Sequence, residues 1–374
     1  MYFLSCDIKT GRIIGELPLS VQGSLQRAMM TVTDGTFMLP ITDAACPPDW
    51  EGMTDPWRVV LVVVDDGQRI VWAGIPSQRI RQGSSVQVKI SAVSIEGYLD
   101  RRYAPTRRFD QVDQCNIAAW LVQSTVDAGI PIEVDCPPSG VLRDREYHDD
   151  DSATILKRLE ELSEVINGPE WWVETKWADD SRQAVKHVFH CSYPRIGLSQ
   201  ENPQAVFEMP GGLQEITEEE RWGTNDAATF VVTYGEGEGE DKPRSSDHVD
   251  VESEWAGYPR LEMRPTAQNT TEKETLEAKS AHALERFRSG TRVMTLKQIA
   301  DRPPFIGVDW QMGDDVRVVC NTPALTVDQV LRLVGWEIDA NGLVVTPIVA
   351  SISGKKNGQA TVEGEGDEPS SVTD

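Results

Sequence analysis

Apolar positions in the first hundred residues alternate with polar ones or gather into short runs, at 2–8, 13–19, 28–32, 58–64, 70–75 and 86–93. Thr10-Gly11, Asp34-Gly35, Asp65-Asp66-Gly67 and Gln82-Gly83 separate them and signal turns. This spacing predicts an antiparallel sheet or barrel. Asp66-Gly67 between two β-branched runs predicts a hairpin in which the glycine takes the positive φ.

The period then changes. Residues 113–129 place Ile117, Trp120, Leu121 and Ala128 on one helical face and stop at Gly129, before Pro131. A clearer helix is predicted over 152–166, with Asp151 as its cap and Ile155, Leu156, Leu159, Leu162, Val165 and Ile166 at 3.6-residue spacing. Asn167-Gly168-Pro169 supplies its stop, and a tryptophan-rich strand follows at 171–177. A third helix is expected over 272–289, where Thr271 and Glu274 make a capping-box pair and Leu276, Ala283, Leu284 and Phe287 the apolar side. Strands return at 315–320, 329–338 and 343–352.

The fold class expected is α+β, mainly β. Four regions follow: a β region at 1–110, a helix-plus-strand middle region at 111–265, a helix with a β domain at 266–352, and a tail at 353–374. The tail is rich in Gly, Glu, Ser, Lys and Asp, a composition that predicts disorder.

Among 374 residues, 36 Lys+Arg against 60 Asp+Glu leave a net charge of −24. Residues 201–262 carry half of that excess, 16 acids against 4 bases. Such a balance argues against binding nucleic acid by neutralising phosphates, which needs Lys/Arg patches. It leaves open a surface past which nucleic acid slides without sticking. No unbroken apolar run exceeds the six residues of Val59–Val64, far short of the roughly 20 residues of a membrane span. The first residues show no signal peptide. Six cysteines at 6, 46, 115, 136, 191 and 320 include no Cys-x-x-Cys pair and are expected to be buried free thiols.

Candidate chemistry is sparse. His148-Asp149-Asp150-Asp151 is a possible hard-cation cluster, but consecutive residues do not converge on one ion, and acids before a helix favour its positive end. His187 and His190 stand three apart on a strand and so point to opposite faces. The glycine-rich run at 235–240 carries three glutamates, which repel phosphate, and no Gly-x-Ser-x-Gly elbow occurs. No catalytic, cofactor or metal residues are assigned, and a non-enzymatic protein is expected. Trp171, Val173 and Trp177 face one side of their strand and Trp172 the other; burial against the preceding helix is expected, with stacking on sugars the alternative.

The stretch Tyr147-His148-Asp149-Asp150-Asp151-Ser152-Ala153-Thr154-Ile155-Leu156-Lys157-Arg158-Leu159-Glu160-Glu161-Leu162, followed by Gly168 and Trp171-Trp172, resembles a segment of bacteriophage tail hub proteins. These are the baseplate hub of contractile tails and the tail-tip hub, or minor tail protein, of long non-contractile tails. Its structural signature falls on Tyr147, Asp150, Asp151, Leu156, Leu159, Leu162, Gly168, Trp171 and Trp172. Two further passages are similar to tail-tip hubs: Ile95-Glu96-Gly97-Tyr98-Leu99-Asp100-Arg101-Arg102-Tyr103, and Met312-Gly313-Asp314-Asp315-Val316 with Trp336-Glu337-Ile338.

The resemblance implies a homotrimeric ring of tube-like antiparallel β domains with accessory helices, the first at 1–110 and a second drawing on 111–265. Such a ring joins the hexameric tail tube to the threefold tip and lines the DNA channel. It implies as partners the distal tail and tail-tube proteins, the tape measure protein and tip or fibre proteins, with phage DNA passing unbound. It places the chain in the virion tail tip, made in the host cytoplasm. The other readings are a receptor- or cell-wall polysaccharide-binding tail module and a cell-wall hydrolase.

Overall fold

The computed structural model describes residues 1–351 apart from 166, 225, 238, 240, 241, 268–271 and 289. The expected tail at 353–374, the cap residue Thr271, the helix position Ile166 and acids 238, 240 and 241 of the glycine-rich run therefore lie outside the described residues. Two compact units form: Met1–Glu215 with the chain from Leu296 onward, and Ile216–Thr295. The boundaries fall inside two strands rather than at 110/111 or 265/266, because strands far apart in sequence pair in the larger unit.

In that unit the first strands are β1 (Tyr2–Asp7), β2 (Ile13–Leu17), β3 (Ser20–Val21), β4 (Ser24–Ala28), β5 (Asp34–Pro40), β6 (Val59–Val64), β7 (Ile70–Arg81) and β8 (Gln87–Ser94), with a short helix α1 (Trp50–Met53) before β6. All but β4 form one sheet, in the order β2-β1-β6-β7-β8-β5-β3. β5 alternates exposed and buried positions, as a strand with one wet face should, whereas β6 is buried at every position. Cover on both faces explains why β6 reads as an unbroken apolar run. The β6–β7 hairpin forms where expected, but the left-handed residue is Gln68, at φ 64, and not Gly67. A bulge between Val63 and Val64 moves the turn by one residue.

The middle of the chain supplies β9 (Arg107–Asp113), α2 (Gln114–Gln123), β10 (Ile132–Asp135), β11 (Leu142–Tyr147), α3 (Ile155–Ser163), β12 (Glu170–Trp177) and β13 (Val185–Ser192). β10 runs parallel and β12 antiparallel to β13, and β9 pairs with β11. α2 is shorter than 113–129: Asp113 caps it, its carboxylate accepting from the Cys115 amide at 2.9 Å, and Ala128 is left-handed at φ 55. One core joins this region to the first sheet, with Ile117, Leu121, Leu159, Leu162 and Phe189 packed together with Val60, Val62 and Leu99.

A second seven-stranded sheet contains β14 (Val206–Met209), β15 (Leu213–Arg221), β19 (Thr291–Ile299), β20 (Asp315–Asn321), β21 (Thr326–Asp339) and β22 (Val344–Ser351). Its path is β14-β20-β21-β22-β19-β15, and β4 from the N-terminal region pairs with β21, Ala28 opposite Gly335 and Ser24 opposite Asp339. The strand expected at 28–32 thus ends at Ala28, and Met30 is left-handed at φ 54. Between β3 and β5 the chain leaves one sheet, adds a strand to the other, and returns.

The smaller unit holds a three-stranded sheet of β16 (Phe230–Val231), β17 (His248–Val249) and β18 (Glu262–Met263), with helices α4 (Val251–Trp255) and α5 (Lys273–Phe287). Leu276 and Ser280 are the buried positions of α5, and Ser280 Oγ accepts from the Thr233 amide at 2.9 Å.

Candidate functional site

The signature segment folds into a turn, a helix and a strand. Tyr147 ends β11 buried against Phe109, ring centroids 6.0 Å apart, with the Arg158 guanidinium 5.1 Å above its ring. Asp149–Asp151 form one 3-10 turn, and Ser152 is left-handed at φ 54, which prevents the helix from starting at 152. Thr154 is the cap of α3, its hydroxyl accepting from the Lys157 amide at 3.2 Å. This corrects the expectation that Asp151 caps the helix: Asp151 instead pairs with Arg158, which also holds Glu161 at 2.9 Å. Asp150 is exposed. Leu159 and Leu162 are fully buried and Leu156 packs at the edge of the same core. Asn167 takes the left-handed conformation that ends the segment, at φ 60. At Gly168 a Cβ would lie 2.2 Å from the Ser163 carbonyl oxygen, so no larger residue fits the return of the chain.

β12 is where the sheets of the larger unit meet. Glu170, at its start, receives Arg332 of β21 through both guanidinium nitrogens, one at 2.6 Å, and also accepts from the Ile196 amide at 2.8 Å. Three residues on, the Val173 amide donates to Glu96 at 3.0 Å and its carbonyl accepts from Arg27 at 2.5 Å. Arg27 of β4 and Glu96 also face each other in two parallel bonds of 2.9 Å. Glu96 is fully buried, and Glu170, Arg27 and Arg332 are no more than 6% exposed. Burial opposes the charge on Glu96, but the Arg27 guanidinium and its hydrogen bonds outweigh it and hold the carboxyl below the usual range. Two fork-to-fork pairs therefore tie β12 to β21 and to β4, each with backbone partners for the remaining lone pairs.

A third pair extends the tie. Arg195 donates to Asp315 and to the Gly313 carbonyl, both at 2.5 Å, and the Gln200 amide donates to Asp315 at 3.0 Å. A Cβ on Gly313 would sit 2.2 Å from the Ile196 carbonyl oxygen, which accounts for the glycine in Met312–Val316. Both passages singled out beside the signature segment, around Glu96 and around Asp315, lie in this junction.

Trp171 and Trp172 are buried on opposite sides of β12. Trp171 stacks on Phe189 in the core beneath α3. Trp172 does not meet that helix: it lies beside Trp336, Arg27 and the His190 ring, its centroid 6.4 Å from that of Trp336 and 5.6 Å from that of His190. A cavity of about 60 Å³ lies between Trp172, Trp336, Arg27 and Met312, room for waters rather than for a sugar ring.

The histidines follow the strand period. His187 is buried and meets the Thr175 hydroxyl at 2.9 Å, while His190 lies between Asp135 at 3.0 Å and Glu174 at 3.1 Å. Burial pushes the His187 imidazole down to about 4, so it is neutral. Among the described residues, no group of three or more His, Cys, Asp or Glu is placed to hold a metal ion. In the smaller unit Ser246, His248 and Glu277 meet. Ser246 Oγ donates to Glu277 at 2.5 Å and His248 lies 2.8 Å from the same oxygen, so the serine faces the acid and not the base. The six cysteines are free; four are buried as expected, but Cys46 and Cys136 are only half-buried. Among the described residues no helix is long and apolar enough to cross a membrane.

Two seven-stranded sheets, a helix-bearing middle region and a β strand exchanged between sheets define a fold found in tail proteins. It is similar to the tail protein from Neisseria meningitidis MC58, at 14% identity and TM-score 0.53 over 93% of this chain and 96% of that one. It is similar too to the prophage MuSo2 43 kDa tail protein from Shewanella oneidensis, at 13% identity and TM-score 0.55 over 94% and 98%. A chain of the half-lidded Francisella PdpA–VgrG complex matches at 8% identity and TM-score 0.53, over 96% of this chain and 59% of that one. No protein-family model and no curated protein matches the sequence. At these identities the likeness is one of fold, and the tail-protein resemblance read from the residues holds at that level.

Proposed function

We propose that this chain is a structural hub of a bacteriophage tail tip, a homotrimeric ring that joins the hexameric tail tube to the threefold tip and lines the DNA channel. What supports this reading is the end-to-end fold likeness to two tail proteins, together with a junction built for rigidity rather than chemistry. A ring that carries load between two symmetries needs its sheets held in fixed relation, and the buried Glu170–Arg332 and Arg27–Glu96 pairs do that. The role is structural and not catalytic. Its partners are two further copies of itself, tail-tube and distal tail proteins, the tape measure protein and tip or fibre proteins.

The net charge of −24 fits a channel wall that DNA passes without sticking. Native mass spectrometry of the purified chain tests the oligomer: a trimer is expected, and a strict monomer at concentrations near those of assembly counts against the ring. Retention of duplex DNA at about 0.01 M salt, where screening is weakest, would contradict the channel reading.

A glycan-binding tip module is the second reading. Burial removes Trp171 and Trp172 from it, but the smaller unit offers Trp222 stacked on Tyr258, centroids 5.5 Å apart, and Trp255 at 85% exposure. Binding of cell-wall polysaccharide by the isolated chain, lost in Trp255→Ala, would favour it.

A further inference from the structure

Three thiols meet where α2 packs on the β10-β13-β12 sheet. Cys191 Sγ donates to Cys115 Sγ at 3.8 Å, and both residues are fully buried. Cys115 lies in the first turn of α2 and Cys191 in β13. The parallel register of β10 and β13 pairs Asp135 with His190, which brings the next residue, Cys136, beside Cys191, and Cys136 packs against the core that holds both buried thiols. Cys136 is half-buried and so is the member of the trio that solvent reaches. The remaining buried thiols, Cys6 and Cys320, lie on β1 and β20.

We propose that this trio is an oxidation site: a peroxide-class oxidant acts on Cys136, and the product is an intramolecular disulfide of Cys191, first with Cys136 and then with Cys115. In the first step the Cys136 sulfur takes one peroxide oxygen, the O–O bond breaks, and water leaves a sulfenic acid. The Cys191 sulfur attacks that sulfur, the S–O bond breaks, and a second water leaves a Cys136–Cys191 disulfide. The Cys115 sulfur then attacks Cys191, forming Cys115–Cys191 and returning Cys136 as a thiol. Two thiols and one peroxide thus give one disulfide and two waters.

The charge distribution favours the last exchange, and proximity alone favours the attack by Cys191. The hydrogen bond from Cys191 lowers the Cys115 thiol below its ordinary value against the opposing effect of burial, whereas that same contact, Cys136 and burial raise Cys191. Cys115 is therefore the better nucleophile for the last exchange. Closing 3.8 Å to the roughly 2.05 Å of a disulfide asks for a small side-chain adjustment. The bond would link α2 to β13 across 76 residues and restrict the unfolded chain. This chemistry is independent of the role proposed above. In a virion component it would stay reduced during assembly and close after release from the cell.

The experiment uses the full chain carrying Cys46→Ala, which removes the other half-buried thiol. The folded protein is treated with one equivalent of hydrogen peroxide, its remaining thiols are alkylated after unfolding, and its peptides are mapped without reduction. The expected result is a mass lower by about 2 Da before alkylation, a cross-linked peptide joining Cys191 to Cys115 or Cys136, free Cys6 and Cys320, and a melting temperature raised by several degrees. Cys136→Ala in the same background should oxidise at least about tenfold more slowly. Conversion of Cys136 to sulfinic or sulfonic acid without a cross-link, or no loss of thiols, overturns the proposal. Because the mapping needs no change in the core, it decides the matter even if Cys136→Ala does not fold.

Discussion

Glu170 and Arg332 are 162 residues apart in the chain, yet they meet through two parallel hydrogen bonds with almost no access to water. Glu170 opens β12 and Arg332 lies inside β21, so the pair fixes the tryptophan-rich strand against the second sheet. Each carboxylate oxygen is used, one of them twice, because the Ile196 amide also donates there. A buried pair is costly to desolvate and gains little over an apolar contact, but a partner left alone is far worse. The pair therefore defines one arrangement of the strands by penalising every other.

Glu170→Gln should destabilise the larger unit by about 3–5 kcal/mol, because Arg332 keeps its charge without a counterion. Glu170→Met with Arg332→Met should recover much of that loss. Urea denaturation of the singles and the double measures both. A loss in the double equal to the sum of the two singles would mean that the pair does not act as a unit.

The start of α3 gives a sharper test of local structure. Thr154→Ala should cost about 1 kcal/mol, the value of a lost cap. Asp151→Ala removes only a half-exposed pair to Arg158 and should cost less, at most about 1 kcal/mol. Melting temperatures of the two variants rank them, and the reverse order would return the cap to Asp151.

Stability should fall on acidification before any carboxylate titrates. Burial, reinforced by Arg27 and opposed by Glu96, depresses the His187 imidazole from 6.5 to about 4. Between those values the unfolded chain binds the proton and the folded chain does not, so stability drops as pH falls from 6.5 towards 4, by about 3 kcal/mol at most. Glu96 adds a second loss lower down. Its folded value is depressed, so its contribution is present above about 4.5 and disappears as pH falls further. Urea midpoints across this range should show a decline that His187→Leu flattens between pH 6.5 and 4.5; an unchanged slope in that variant would assign the decline elsewhere.

The sequence discloses what local pattern governs. The short apolar stretch at 58–64 predicts β6, and the 3.6-residue period predicts the Leu159 and Leu162 face of α3. The sequence misses β5, because Asp34-Gly35, read as a turn, opens that strand. It misplaces the cap because three aspartates mask a threonine, and only backbone geometry at Ser152 decides between them. It hides the transfer of β4 to the second sheet, since the partner of Ala28 is Gly335 and no local feature encodes a pairing over that distance. The ion pairs were partly legible. Glu96 and Asp315 fall inside the passages that resemble hub proteins, but Arg332 reads as an ordinary polar position of the strand expected at 329–338, and Arg27 falls just outside the stretch expected at 28–32. Charge alone does not reveal burial; its partner does.

Electron cryomicroscopy of particles that contain this chain decides whether it forms the proposed ring at the tail tip. Three copies are expected around the tail axis at the distal end of the tube, each contributing to a pseudo-sixfold β ring whose inner wall is acidic. Copies found only at the periphery, away from the axis, or an inner wall that is neutral or basic with the acids all outside, would contradict it.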